Sequence, residues 1–415
     1  IYSGPTLTLY NRMTEDSSAG SYGGSGNLTG KSAAYQFVTI SGTIDLHLKS
    51  LSDAINAGYD LSATFTNDID GSTRSGAWDI GADESGGSVP LRPLVVYTEN
   101  NSGTDDLVKY STYTTSWQAE ATAFDSNDAE ALVWHVAKAG PAGREQVVLA
   151  AGRTSTTLYA SLYNGSTWTG GDAGTFKNLG STQTSDQRCF NAAYEMASGR
   201  LLIVKGTPAT TQITYWIWDG SSWIVNGQTY DFTTINRPVY WIQMASRPGS
   251  NQIALTAISS ANQVVGLIWN GDTQSWGDEK LLGSATSYDG EVLDVEYMPA
   301  GTNAGQALFA WGSYSTLSSW TWTGAAWEGA SKSKSGFANN IRWVALAANP
   351  NSDTMLAGIL NINQQVQTIN WTGSAWGATI QSVDSTIYGG YADNRPFDII
   401  FESASGHSGH ALIVY

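Results

Sequence analysis

From about residue 131 onward the chain repeats itself. Segments opening at Phe190, Pro238, Leu293 and Val344 share one plan: strand, turn, strand, loop, strand, tight turn, and a strand that carries tryptophan. The terminal tryptophans fall at Trp117, Trp168, Trp223, Trp276, Trp327 and Trp376, spaced 49 to 55 residues apart. That period is the length of a four-stranded propeller blade. Between the third and fourth strands stand Asn164-Gly165, Asp219-Gly220, Asn270-Gly271, Thr323-Gly324 and Thr372-Gly373. Such pairs supply the positive φ that matches strand twist in a tight hairpin.

Residues 94–126 supply the second, third and fourth strands of a further blade, and residues 397–415 a first and a second. With five full units between them, the strands are one too many for six blades and three too few for seven. The expectation is an all-β chain with a six- or seven-bladed β-propeller over residues 89–415. Its two ends either close the ring together or leave a blade for a neighbouring chain to complete, which removes an exposed edge in either case.

Composition agrees with short strands and many turns. The chain has 45 Gly, 17 Trp and 20 Tyr among 415 residues, with only 13% charged, so helix should be scarce. With 36 acidic against 20 basic residues the net charge is −16, which repels a phosphate backbone and excludes nucleic acid as a partner. No stretch has the roughly 20 apolar residues of a membrane-spanning helix. Cys189 is the single cysteine, so no intramolecular disulfide forms, and a buried structural thiol is the expected role.

Residues 1–88 form a different module, with a Gly/Ser-rich loop at Ser17–Gly30. Its segments IDLHLKSLSDAINAGYD (Ile44–Asp60) and NDIDGSTRSGAWDIGADE (Asn67–Glu84) resemble the final coils of secreted right-handed parallel β-helix proteins. The likeness rests on His47, Leu48, Lys49, Ser50, Ser52, Ala54, Ile55, Ala57 and Gly58, then on Asp68, Asp70, Gly71, Arg74, Asp79, Ile80, Gly81, Ala82 and Glu84. Asp53 stands where that family usually has proline. The resemblance implies that residues 1–88 are the capped C-terminal end of a β-helix. The propeller half is loosely similar to kelch and tryptophan-rich repeat propellers, without the full signature of either.

Five repeat tryptophans, Trp168, Trp223, Trp276, Trp327 and Trp376, are candidate ligand-binding residues, because a flat indole face suits the C–H surface of a sugar. One per blade at a fixed strand position is also what packing between blades requires. Trp216, Trp218, Trp241, Trp320, Trp322 and Trp343 alternate along strands, and a few of them are expected to reach solvent. Asn67, Asp68 and Asp70 make an oxygen-rich loop able to hold Ca²⁺, or a plain turn paired with Arg74. His407 and His410 read as a solvated turn.

No metalloprotease, nucleophile-elbow or phosphate-loop motif occurs, and no cofactor other than Ca²⁺ is indicated. The leading reading is an extracellular structural or adhesive protein, secreted or at a cell surface, that binds other surface or filament subunits. The alternatives are a carbohydrate-binding propeller lectin with glycan partners, and an enzyme acting on polysaccharide through carboxylates from separate blades.

Overall fold

Inner strands of a propeller are covered on both faces by neighbouring sheets, so they read as continuous apolar runs, whereas outer strands are partly solvated. This gradient is visible here. Phe190–Tyr194 and Leu201–Gly206 are buried throughout, while every residue of Trp223–Asp231 is half-buried or exposed. The computed structural model describes residues 12–18, 26–40, 44–48, 52–55, 57–71, 73–74, 78–84, 93–98, 107–113, 116–126, 132–141, 144–152, 157–172, 174–183, 187–287, 289–385, 387, 397–402 and 409–415.

The protein is an all-β propeller. Five consecutive antiparallel sheets form complete blades, each ordered as in the sequence from the inner to the outer edge. The first comprises Leu132–Ala139, Gln146–Gly152 and Thr157–Tyr163, with an interrupted outer strand at Trp168–Thr169 and Lys177–Ser181. The second comprises Phe190–Tyr194, Leu201–Gly206, Gln212–Trp218 and Trp223–Asp231, and the third Val239–Ser246, Gln252–Ser259, Gln263–Asn270 and Ser275–Ser284. The fourth comprises Leu293–Tyr297, Ala307–Ser313, Thr316–Trp322 and Lys332–Ser335, and the fifth Ile341–Ala348, Met355–Asn361, Val366–Trp371 and Gln381–Asp384.

Two partial sheets flank these. Leu94–Thr98, Leu107–Thr112 and Ala121–Asp125 form a three-stranded sheet, and Asp398–Phe401 pairs with Ala411–Val414. The first strand of each complete blade packs against the first strand of the next, and Ile341–Ala348 packs in the same way on Asp398–Phe401. Among the described residues no ladder joins the two partial sheets. The only helix described is Ala33–Gln36, a single turn.

The core follows this ring. Trp241, Phe309, Trp343 and Phe397, from three blades and the segment beyond them, belong to one buried cluster, with Trp241 edge-on to Trp343 at 5.4 Å. Of the tryptophans expected in part at the surface, Trp216, Trp218, Trp241, Trp322 and Trp343 are buried, and only Trp320 is half-buried. Alternation along a strand points to solvent only when one sheet face is wet. In a blade the opposite face meets the neighbouring blade.

The turn expectation holds with one exception. Gly165, Gly220, Gly324 and Gly373 have φ of 96°, 105°, 94° and 90°. Gly271 does not, because the third blade's hairpin is two residues longer: Trp269 pairs with Trp276, and the positive φ falls on Gln274 at 51°. Gly271 is required for a different reason, since a Cβ there would lie 2.3 Å from Glu195 Oε1 of the preceding blade.

In the N-terminal module, Phe37–Thr39 pairs antiparallel with Asp45–Leu48, and Met13 forms one parallel bridge to Leu28. Leu48, Ala54, Ile55 and Ile80 make a small core there. These elements do not by themselves establish a β-helix coil. The matched motif has a clear local role, because Arg74 donates to Glu84 Oε2 at 3.0 Å and to Gly81 O at 2.8 Å, tying the middle of the second segment to its end. Arg74 therefore pairs with Glu84 rather than with the Asn67–Asp70 turn.

Candidate functional site

Each repeat tryptophan lies just past the tight turn, at the start of the outer strand in three blades and in an isolated bridge ahead of it at Trp117, Trp327 and Trp376, across the hairpin from an aromatic residue at or beside the end of the third strand. The pairs are Tyr113–Trp117, Tyr163–Trp168, Trp218–Trp223, Trp269–Trp276, Trp322–Trp327 and Trp371–Trp376, with ring centroids 4.7 to 5.5 Å apart. Cross-strand aromatic pairs of this kind contribute about 0.5–1.5 kcal/mol beyond the area they bury. Trp117 is 54% exposed, whereas Trp168, Trp223, Trp276, Trp327 and Trp376 are all half-buried.

These five rings reach back to the preceding sheet. Trp168 lies edge-on to Tyr110 at 5.1 Å, and Trp276 edge-on to Tyr215 at 6.0 Å. Trp223 Nε1 donates to Gly170 O at 2.9 Å, Trp327 Nε1 to Asp278 O at 2.8 Å, and Trp376 Nε1 to Ser319 Oγ at 3.0 Å. The Trp327 ring lies so close to Gly266 that a Cβ there would meet it at 2.5 Å. The indole N–H groups of Trp168 and Trp276 are buried without an acceptor among the described residues.

Beside each ring lies a turn whose Asn, Asp or Thr side chain is fixed by hydrogen bonds within the turn. Asn164 Oδ1 accepts from Ser166 N and Thr167 N, Asp219 Oδ1 from Ser221 N and Ser222 N, and Asn270 Oδ1 from Asp272 N. Thr323 and Thr372 exchange hydrogen bonds with Ala326 and Ala375 in the same way. The Asp219 carboxyl is held down at about 2, since the backbone and side-chain donors of Ser221 and Ser222 outweigh its partial burial. Each of these five indoles thus stands beside a turn whose polar groups are fixed by hydrogen bonds.

A second feature has no sequence forerunner: in the first four complete blades, the turn between the first and second strands holds the outer hairpin of the next blade. Arg144 Nη1 donates to Asp219 O at 2.6 Å and Arg200 Nη2 to Gly271 O at 2.6 Å. Arg247 Nη1 reaches Gly324 O at 3.4 Å, and Asn303 Nδ2 reaches Gly373 O at 3.0 Å. Alongside, Trp218 Nε1 donates to Glu145 Oε1 at 3.4 Å, Trp269 Nε1 to Glu195 Oε1 at 2.8 Å, and Trp322 Nε1 to Gln252 Oε1 at 2.9 Å. These contacts span about 70 residues of sequence, so no local pattern announces them.

Polar groups also gather on the inner strands and in the segments just before them. Asn191 Nδ2 donates to Gln243 Oε1 at 2.6 Å, Gln243 Nε2 bonds Glu291, and Arg188 pairs with Glu291 at 2.8 Å. Asp294 Oδ2 accepts from Leu346 N of the fifth blade at 2.7 Å. Burial, with the Asp294 charge adding to it, pushes the Glu296 carboxyl up to about 7. Burial alone pushes His135 down to about 4. Both oxygens of Asp294 are taken by backbone N–H groups, so its first role is to join two blades.

The N-terminal module holds a cavity of about 490 Å³ lined by Arg12, Met13, Tyr59, Phe65, Arg74 and Trp78, among others. Arg74 stands over Trp78 at 5.1 Å and Phe65 at 5.7 Å. Of the Ca²⁺ candidates, Asp68 Oδ1 caps Asp70 N at 2.9 Å, Asn67 bridges to Thr73, and Asp70 turns toward His47. His410 faces Glu402 at 3.7 Å, and His407 lies outside the described residues.

No family model matches the chain, and no curated protein matches it. Among solved structures it is similar to the SapL1 lectin in complex with α-methyl fucoside, at 13% identity and TM-score 0.41 over 65% of this chain and 85% of that one. It is similar to the six-bladed propeller lectin of Aleuria aurantia at 13% identity and TM-score 0.41, over 72% and 96%. A chain of the mitotic checkpoint complex gives TM-score 0.44 at 12% identity over 71% and 75%. Among the described residues no helix is long and apolar enough to cross a membrane.

Proposed function

We propose that the protein is a carbohydrate-binding propeller acting outside the cell, with glycan taken up in the clefts between blades. The observation that carries this reading is that Trp168, Trp223, Trp276, Trp327 and Trp376 are neither buried nor free: all five are half-buried at equivalent positions. An indole fixed by neighbouring rings keeps its orientation without further entropy loss, and the adjoining turn supplies donors and acceptors for hydroxyls. Repetition around the ring makes weak single sites collectively effective on a multivalent glycan surface.

A glycan array probed with the purified chain, followed by calorimetry on the best ligand, tests this. Saturable binding with more than one site per chain, reduced stepwise in Trp223→Leu and Trp376→Leu variants that keep their far-ultraviolet spectra, is the expected result. No binding on the array at micromolar protein, or affinity untouched by both substitutions, defeats the reading.

The assembly reading is favoured by one feature, the two-stranded sheet Asp398–Phe401/Ala411–Val414, on which Ile400, Leu412 and Val414 are exposed. Pairing of that sheet with a second copy predicts concentration-dependent oligomers in light scattering. A strict monomer across a hundredfold concentration range rules it out.

A further inference from the structure

We propose that His47, Asp70 and Asp83 form a binding site for one divalent transition cation of the zinc class, which clips three separate segments of the N-terminal module together. His47 lies on Asp45–Leu48, Asp70 on the 67–71 turn, and Asp83 in the segment that closes on Arg74. One ligand atom from each lies within 4.8 Å of the other two. Two ligands of one zinc ion at about 2.0–2.1 Å stand roughly 3.4 Å apart, close to the 3.1 Å that already separates His47 Nε2 from the Asp70 oxygens.

Three further observations favour an ion over a simple surface pairing. Asp83 is 6% exposed, and Leu48 N fixes its Oδ2 at 2.7 Å. His47 Nδ1 is held by Asp45 Oδ1 at 2.5 Å, which leaves Nε2 directed at Asp70, 3.1 Å from both its oxygens. A metal-bound imidazole is characteristically oriented in this way, its other nitrogen donating to an outer carboxylate. Finally, three carboxylates surround one imidazole, and among the described residues no Lys or Arg pairs with Asp45, Asp70 or Asp83.

An imidazole nitrogen with two carboxylates suits zinc and its neighbours better than calcium, which favours oxygen donors alone. The cation therefore differs in class from the one the Asn67–Asp68–Asp70 loop suggests. Its effect would be structural, because the core it braces consists of little more than Leu48, Ala54, Ile55 and Ile80.

The test uses the full chain, stripped with chelator and dialysed at neutral pH, and titrated with zinc by calorimetry, with metal counted by mass spectrometry. One zinc per chain at micromolar affinity or better is expected, together with slower proteolysis within residues 44–84. Asp70→Asn, on an exposed residue that does not endanger folding, and His47→Gln should each weaken binding at least tenfold, whereas a His407→Gln/His410→Gln variant should retain it. Less than a tenth of an equivalent on the stripped wild type, or undiminished binding in both Asp70→Asn and His47→Gln, overturns the site.

Discussion

Removing Glu195 should be among the most damaging single changes available to the propeller. Its side chain is 1% exposed and serves three donors from two blades. Oε2 accepts from Arg200 at 2.7 Å and Ser198 Oγ at 2.5 Å, and Oε1 accepts from Trp269 Nε1 at 2.8 Å. Glu195→Ala leaves a largely buried guanidinium without its counter-charge, a loss that costs about 3–5 kcal/mol. The orphaned indole N–H adds about 1–3 kcal/mol.

The assay is urea unfolding followed by both tryptophan fluorescence and circular dichroism, since a chain of five complete sheets need not unfold in one step. With a slope of about 3 kcal/mol/M, the transition of the propeller should move down by roughly 1 M or more. Adding Arg200→Ala should cost less than the sum of the separate effects, because the second change removes the stranded charge. The half-buried pair Glu328–Lys332, still partly open to solvent, is the control, and Glu328→Ala should cost at most about 1 kcal/mol. A shift below about 0.3 M for Glu195→Ala at unchanged slope refutes the idea that this carboxylate holds adjacent blades together.

Gly271→Ala should destabilise by about 1–3 kcal/mol, because the new methyl meets Glu195 Oε1, while Gly277→Ala, with nothing within 4 Å of the added carbon, should be nearly silent in the same urea assay. Burial depresses Lys205 to about 8, below its unfolded value of 10.5. Between those limits the unfolded chain binds more protons, so Lys205 contributes a rise in stability as pH goes from about 8 toward 10.5, and unfolding midpoints measured across that range should lose this rise in Lys205→Met. Trp327→Phe should cost about 0.5–1.5 kcal/mol more than Trp168→Phe by thermal or urea unfolding, because only Trp327 gives up a bond to the preceding blade, at Asp278 O.

The propeller was legible in the sequence because its hairpins are local. An Asn-Gly or Thr-Gly pair and the tryptophan just beyond it lie within one turn, so their spacing survives as a pattern. The contacts that join blades are not local. Arg144, Arg200 and Arg247 look in sequence like ordinary solvated charges near turns, and only the fold brings them to carbonyls of the following hairpin. The alternating tryptophans misled for a related reason, since a strand between two blades has no wet face. In the N-terminal module the motif residues Arg74 and Glu84 stood out at once, yet their partnership became apparent only when Gly81 and Glu84 closed back on the guanidinium. His47 and Asp83, 36 residues apart, gave no spacing that a metal pattern would recognise.

The contacts between blades bear directly on how a ligand would act. What recurs is a geometry rather than a residue: arginine holds the next hairpin at three boundaries and asparagine at the fourth, while the indole acceptor changes from glutamate to glutamine. Stability in such an array is a sum of nearest-neighbour terms, so each boundary can open separately. A glycan seated on a repeat tryptophan and the adjoining turn would touch one blade's hairpin while that hairpin is held by the blade before it. Binding would then strengthen a single boundary, and the unfolding midpoint would rise with ligand concentration as mass action requires. Weakening the Arg200 latch should therefore reduce affinity at the Trp276 cleft and leave the Trp376 cleft, two boundaries away, unchanged, whereas a loss at both clefts would mean that the ring responds as one cooperative body.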